Sequence, residues 1–234
     1  MERKFFLKRS ITALGVAFVA PLVNSCKKDN EGTTGSGSCA EAPAETEGPY
    51  PTKNPSAYVR SDIRDDRAGA LMAASITIGN LNNNCAALAG VIVDIWHCDA
   101  DGNYSEYGGS GTQSVNYQSV HFLRGRQVTD ANGQVAFTTI FPGWYTGRAT
   151  HIHVHIYTAS GTSLKVTQIA FPDDLCLQVN STGAAYGYTK GISGYIKNAS
   201  DNIFSDDAAG TQMAAITGSL SGGYQLSISL NVKG

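Results

Sequence analysis

HFLRGRQVTDANGQVAFTTIFPGWYTGRATHIHVHI, residues 121–156, decides the fold class. Its first two apolar and β-branched runs, HFLRGRQVT and QVAFTTIF, flank Asp130-Ala131-Asn132-Gly133, and Asn-Gly between such runs predicts a β-hairpin. Pro142-Gly143 then predicts a tight turn just ahead of Trp144 and Tyr145. The stretch ends in THIHVHIY, a strict two-residue alternation that belongs to a strand. Working outward, VIVDIWH (91–97) reads as a buried strand running into the turn-rich Asp99-Ala100-Asp101-Gly102-Asn103. That turn is not a calcium loop of the helix–loop–helix type, because its glycine stands fourth rather than sixth and no helical pattern flanks it. LKVTQIAF (164–171) and the alternating YQLSISLNV (224–232) add strands, and no internal repeat is present. With 26 glycines, 11 tyrosines and only 15% charged residues, the expectation is an all-β chain, a β-sandwich with long loops and few short helices, one of them near residues 199–216.

Three of the five histidines, His151, His153 and His155, fall within THIHVHIY. Alternation puts them on one face of the strand and Ile152, Val154 and Ile156 on the other, so one face is core and the other is able to hold ligands. Two imidazoles two residues apart on a strand can reach one metal ion, whereas several buried bare imidazoles would each need a hydrogen-bond partner. H-x-H alone does not name the metal: a zinc or copper site of three imidazoles, an iron site, and a strand whose histidines only bond solvent or backbone are all consistent with it. Tyrosines narrow the choice. Tyr145 lies six residues before His151 on the Pro-Gly turn, and Tyr104 lies on the loop leaving VDIWH. A phenol with a pKa of about 10 becomes a ligand at neutral pH only when the metal is acidic enough to displace its proton, as trivalent iron is.

TEGPYP (46–51), VDIWHCDADGNYS (93–105) and the block from Phe122 to Ile156 together resemble the intradiol ring-cleavage dioxygenases, the family of protocatechuate 3,4-dioxygenase and catechol 1,2-dioxygenase. The resemblance runs through most of the chain after residue 42 and implies a prealbumin-like β-sandwich. It implies Fe(3+) held by Tyr104, Tyr145, His151 and His153, and a small aromatic diol cleaved with O2 between its hydroxyl-bearing carbons to a cis,cis-muconate. By the same resemblance Tyr145 is both ligand and base, Arg148 opposes negative charge on the substrate, and Gln168 orients it. Tyr107 is close enough in sequence to rival Tyr104. His97 and His155 receive no role from the resemblance and are read as hydrogen-bonded supporting histidines. Against this stand the zinc or copper protein and a binding module of the same shape without turnover. Which catechol is used is left open, as is a homo-oligomeric assembly.

Residues 1–26 carry Arg3, Lys4, Lys8 and Arg9 ahead of an apolar run from Ile11 to Val23, which reads as an export signal. The run is shorter than the ~18–20 residues of a membrane span. Val23-Asn24-Ser25-Cys26 resembles a lipobox, making Cys26 the expected lipid anchor to a bacterial cell envelope, and residues 27–42 are read as a polar tether to a domain covering 43–234. Cleavage before Cys26 would leave 13 basic against 18 acidic side chains, about −5. No basic stripe with interleaved aromatics is present, which argues against nucleic acid as a partner. Cys39, Cys85, Cys98 and Cys176 form an even set and permit two disulfides in three connectivities. Without a C-x-x-C spacing they do not suggest zinc.

Overall fold

In a computed structural model, the described residues are 39–109 and 113–234. Nine strands form two sheets. β1 (Leu71–Asn80) pairs in parallel with β9 (Gly223–Val232). Its other edge is shared by β5 (Gln134–Ile140) and the short β2 (Ala86–Ala87), while β8 (Ala215–Ser219) lies outside β9. The second sheet is antiparallel in the order β4 (Arg124–Val128), β3 (Ile92–Trp96), β6 (His151–Tyr157), β7 (Ser163–Ala170). The inward faces meet in one apolar core: Met72, Ala74, Ile76 and Ile78 of β1 and Val135 and Phe137 of β5 with Val93, Ile95, Ile152, Val154 and Ile156. This is the expected all-β sandwich.

Alternation fixes the register of β6. Slipping it by one residue would exchange Ile152, Val154 and Ile156, each with no exposed surface, for three imidazoles. At about 1.5–3 kcal/mol per buried aliphatic side chain, the slip forfeits roughly 5–9 kcal/mol. His151 and His153 are therefore held on the face away from the core, and loops bury that face as well.

The hairpin expectation is corrected, and those for helix and disulfides are made specific. Residues 130–134 do turn, but no hairpin forms: β4 pairs with β3 in one sheet and β5 with β1 in the other. Asp130 Oδ1 accepts from both Asn132 N and Gln134 N at 2.9 Å, widening the turn into an arch between the layers. The α-helix is α1 (Asp173–Thr182), with Asp173 and Asp174 in its first turn where the helix dipole favours them. Residues 199–216 form only short 3-10 turns, a loop and the start of β8, because Asp201 and Asp207 accept the backbone N–H groups of Ile203, Phe204, Thr211 and Gln212. Among the described residues one disulfide forms, Cys39–Cys85, and Cys98 and Cys176 are free and buried, Cys98 under the aromatic loop and Cys176 in the core face of α1. That bond, the burial of Ala42 and the Ala42 N–Asn231 O bond (2.9 Å) carry the folded body N-terminal of residue 43. The export signal, Cys26 and the tether up to residue 38 lie outside the described residues.

The disulfide ties residues 46 apart in sequence. By loop-closure entropy, Cys39→Ser with Cys85→Ser should cost about 2–4 kcal/mol in urea denaturation. His97 gives a second expectation. Its Nδ1–H donates to Cys98 O (2.8 Å), leaving Nε2 to accept from Thr139 Oγ1 (2.7 Å), and burial pushes its pKa down to about 4 from 6.5. The unfolded chain then binds a proton that the folded one refuses, so stability is full above pH 6.5 and is lost as pH falls towards 4. The loss should be about 2 kcal/mol between pH 7 and pH 4.5 and absent in His97→Gln, as read from urea denaturation at the two pH values.

Candidate active site

β6 brings His151 and His153 to the centre of the site. His151 Nδ1 lies 2.6 Å from Ala149 O. A carbonyl only accepts, so this nitrogen carries the proton and His151 Nε2 is left with a bare lone pair. His153 Nε2 lies 3.1 Å from that atom and the Tyr104 hydroxyl 3.2 Å from it. The three groups cannot all be satisfied by one another. The single lone pair on His151 can take a proton from His153 or from Tyr104, not from both. His153 Nδ1 is buried and has no hydrogen-bond partner among the described residues. A cation shared by these atoms removes the conflict, since each offers it a lone pair.

Electrostatics point the same way. Burial lowers His151 to about 3 and His153 well below its ordinary value, so both imidazoles are neutral and able to ligate. Burial raises the Tyr104 hydroxyl well above 10 and raises Tyr145 as well, with the Arg148 guanidinium opposing both shifts. Both phenols stay protonated unless a strongly acidic cation displaces the proton.

Each ligand-bearing loop is braced. The backbone of Tyr104 is held on both sides by the Gln113 side chain, Tyr104 N to Oε1 at 2.6 Å and Nε2 to Tyr104 O at 2.8 Å. The fully buried Arg124 donates to Ser105 Oγ (2.8 Å) and Ser105 O (2.6 Å), and to Tyr50 O and Thr52 Oγ1 (both 3.0 Å), sewing this loop to the segment after Thr46. Tyr145 is half-buried, its ring 5.7 Å from that of Tyr104 and 5.5 Å from that of His151. Its turn is pinned by Lys190 Nζ on Trp144 O (2.8 Å) and Trp144 Nε1 on Gly191 O (2.9 Å). Trp96 lies parallel to His153 with centroids 4.9 Å apart, and Tyr50 stacks on Tyr104 at 4.7 Å. Gly48 has φ +68, and a Cβ there would stand 3.0 Å from His153 Cε1, so the segment passes directly over the imidazole.

Arg148 and Gln168 meet: Nη2 donates to Gln168 Oε1 at 2.7 Å, and Gln168 Nε2 donates to Thr46 O at 3.1 Å. Tyr107, the rival of Tyr104, donates to Pro51 O at 2.7 Å. His155 is engaged elsewhere, with Glu47 Oε1 at 2.9 Å, Tyr157 Oη at 2.8 Å and Ser163 Oγ at 2.8 Å. Among the described residues no cluster of three His, Cys, Asp or Glu side chains is arranged to hold a metal, so the three-imidazole site is not formed. Reading the sequence did not find Asp201, Arg124, Trp96 or Gly48. Gly48 had a signal in TEGPYP; the others reach the site only through packing.

The dioxygenase family profile matches residues 46–202. Among solved structures, an intradiol ring-cleavage dioxygenase from Tetranychus urticae is 31% identical, with 83% of this chain and 95% of that one covered at a TM-score of 0.72. The dioxygenase domain of a carbohydrate-binding fusion from Streptomyces sp. SirexAA-E shares the fold at 23% identity and a TM-score of 0.57, covering 82% of this chain and 97% of that one. The chlorocatechol 1,2-dioxygenase of Rhodococcus opacus is 30% identical over 116 residues, which is 42% of this chain and 42% of that protein, so the matched part spans less than half of that relative. The profile match takes in Tyr104, Tyr145, His151, His153, Arg148 and Gln168 together, and the chain belongs to the intradiol ring-cleavage dioxygenase family of enzymes.

Proposed function

We propose that the protein is a non-haem Fe(III) dioxygenase that opens catechol-type rings between the two hydroxyl-bearing carbons, placing both atoms of O2 in a cis,cis-muconate. Tyr104, Tyr145, His151 and His153 would hold the iron. The observation that carries this is the unsatisfied meeting of His151 Nε2, His153 Nε2 and the Tyr104 hydroxyl, with the Tyr145 ring beside them. Ferric iron, when bound, supplies the acidity that ionises a catechol and the electron-accepting character that lets the ring meet O2.

The side chains divide the remaining work. Tyr145 is half-buried on a loop turn, whereas Tyr104 is fully buried and braced by Gln113, so Tyr145, as the phenolate it would become with iron bound, is the group placed to take a proton from an incoming diol. Arg148, 8% exposed, presents a fixed positive charge to developing negative charge in the substrate, where the low dielectric strengthens it. Gln168 spends its oxygen on Arg148 and its amide on Thr46 O, so it acts by holding Arg148 against the segment over His153. Tyr50, buried and stacked on Tyr104 at 4.7 Å, would shield that side of the site from water. The test is an absorption spectrum with metal analysis on reconstituted protein, repeated under anaerobic titration with catechol and with protocatechuate. A visible tyrosinate–iron band that shifts with one diol, and muconate formation on admitting O2, are expected. Colourless protein that retains no iron would overturn the proposal.

We propose further that the chain is exported and lipid-anchored through Cys26, a reading supported by the Cys39–Cys85 disulfide, which suits an oxidising compartment. Cys26→Ser should move the protein from the membrane fraction to the soluble one; membrane retention would argue against the anchor.

A further inference from the structure

We infer that Asp201 is a positioning residue that sets the orientation of Arg148 and, through residue 149, of His151. The inference rests on the ring-cleavage proposal for what Arg148 does, and on the structure alone for what holds it. Asp201 is 1% exposed and lies in the loop between α1 and β8, 53 residues from Arg148 in sequence. Its Oδ2 accepts from Arg148 Nε at 2.9 Å and from Ala149 N at 2.7 Å. Its Oδ1 accepts from Ile203 N at 2.8 Å and Phe204 N at 3.3 Å. All four contacts come from donors, so the carboxylate is satisfied without water.

The consequence for Arg148 is geometric. A guanidinium is planar, and fixing Nε at one edge fixes the direction of both Nη atoms. Here Nη2 is directed to Gln168 Oε1, whose amide donates onward to Thr46 O. A single chain of bonds therefore runs from the 201–204 loop through Arg148 and Gln168 to the segment over His153. The second consequence passes through Ala149, whose N–H is held by Asp201 and whose carbonyl takes the His151 Nδ1 proton at 2.6 Å. Asp201 also seats Phe204, whose ring lies 5.7 Å from Arg148 Cζ and 6.4 Å from the His151 ring. One buried carboxylate thus braces the charged group and one imidazole of the site from a loop outside both sheets.

The test is a double-mutant cycle on the reconstituted enzyme with catechol as substrate: wild type, Asp201→Asn, Arg148→Ala and the double variant. Asp201→Asn keeps the shape and removes the charge that accepts from Arg148. It should lower kcat by about 10- to 100-fold with KM changed far less, and cost at least about fivefold less when Arg148 is already alanine, the remainder being the part that acts through Ala149 on His151. A purely supporting role would give the same fold loss in both backgrounds, and that result overturns the inference. Metal-free protein provides an independent reading: the Arg148 Nε–H cross-peak in 15N–1H spectra should exchange slowly in the wild type and fast in Asp201→Asn. Equal exchange in the two also overturns it. If wild type cleaves neither catechol nor protocatechuate, the ring-cleavage proposal fails while the exchange measurement still decides the Asp201–Arg148 lock. Should Asp201→Asn not fold, the same cycle and exchange measurement are run with Asp201→Glu.

Discussion

Tyr104→Phe is expected to give a folded protein that has lost at least about 100-fold in iron affinity and a similar factor in ring cleavage. Changes to groups that merely orient a metal ligand cost about 10- to 100-fold, and loss of the ligand atom itself should cost no less. The tyrosinate band should weaken and shift, because only Tyr145 would remain to supply it. Stability of the metal-free protein separates a ligand from a structural tyrosine. If the Tyr104 hydroxyl served only as the donor to His151 Nε2, deleting it would strand a buried acceptor at about 1–3 kcal/mol. In the geometry found here His153 Nε2, 3.1 Å away, competes for the same lone pair and takes over the bond. Chelated Tyr104→Phe should therefore match chelated wild type within about 0.5 kcal/mol in urea denaturation, allowing for the small cost of trading a bond. A variant that keeps iron and colour but unfolds 1–3 kcal/mol sooner would return Tyr104 to a structural role.

What could be read from the sequence was whatever depends on local period or on a contiguous motif. Alternation in THIHVHIY and YQLSISLNV specified strands and their buried faces, and β6 and β9 follow it. The clustering of His151 and His153 with Tyr104 and Tyr145 followed from a strand, its neighbour's exit loop and a turn, all carried by recognisable residues. The partner of a strand is a different kind of information. Asn132-Gly133 signals a turn, but whether the chain folds back on its own sheet or crosses to the other depends on which long-range edge is open, and β1 offered one to β5. The same limit applied to the cysteines, where an even count says nothing of whether Cys98 and Cys176 can meet. It applied to Asp201 as well: an acidic residue in a Ser/Asn-rich loop has no pattern to mark it, and its importance comes entirely from a contact made across 53 residues of sequence.

Gly143→Ala should damage the site strongly, though Gly143 touches neither histidine. A Cβ at this position would stand 2.3 Å from Ala100 O, 2.6 Å from Asp99 O and 2.7 Å from Ala100 C, all backbone atoms of the loop that carries Tyr104. The fit is reciprocal: Gly102, at φ +88, would place its Cβ 2.1 Å from Trp144 O, in the turn that carries Tyr145. The two tyrosine-bearing segments are thus packed glycine to glycine, and Gly143 N also donates to Asp99 O at 3.1 Å. A methyl group needs roughly 1 Å more than this contact allows, and backbone cannot rotate aside as a side chain can. Separation of the segments moves Tyr104 and Tyr145 apart, and a displacement of about 1 Å at reacting groups is worth on the order of 100-fold in rate. The expected result is about 1–3 kcal/mol of lost stability, weaker iron retention and about 100-fold slower ring cleavage. Gly161→Ala is the control: at φ +86 it carries about 1–2 kcal/mol of left-handed backbone strain, but its Cβ would meet nothing within 4 Å. If both variants lose stability and neither loses activity, the Tyr104 loop and the Tyr145 turn adjust independently, and the close packing at Gly143 does not set the distance between the two phenols.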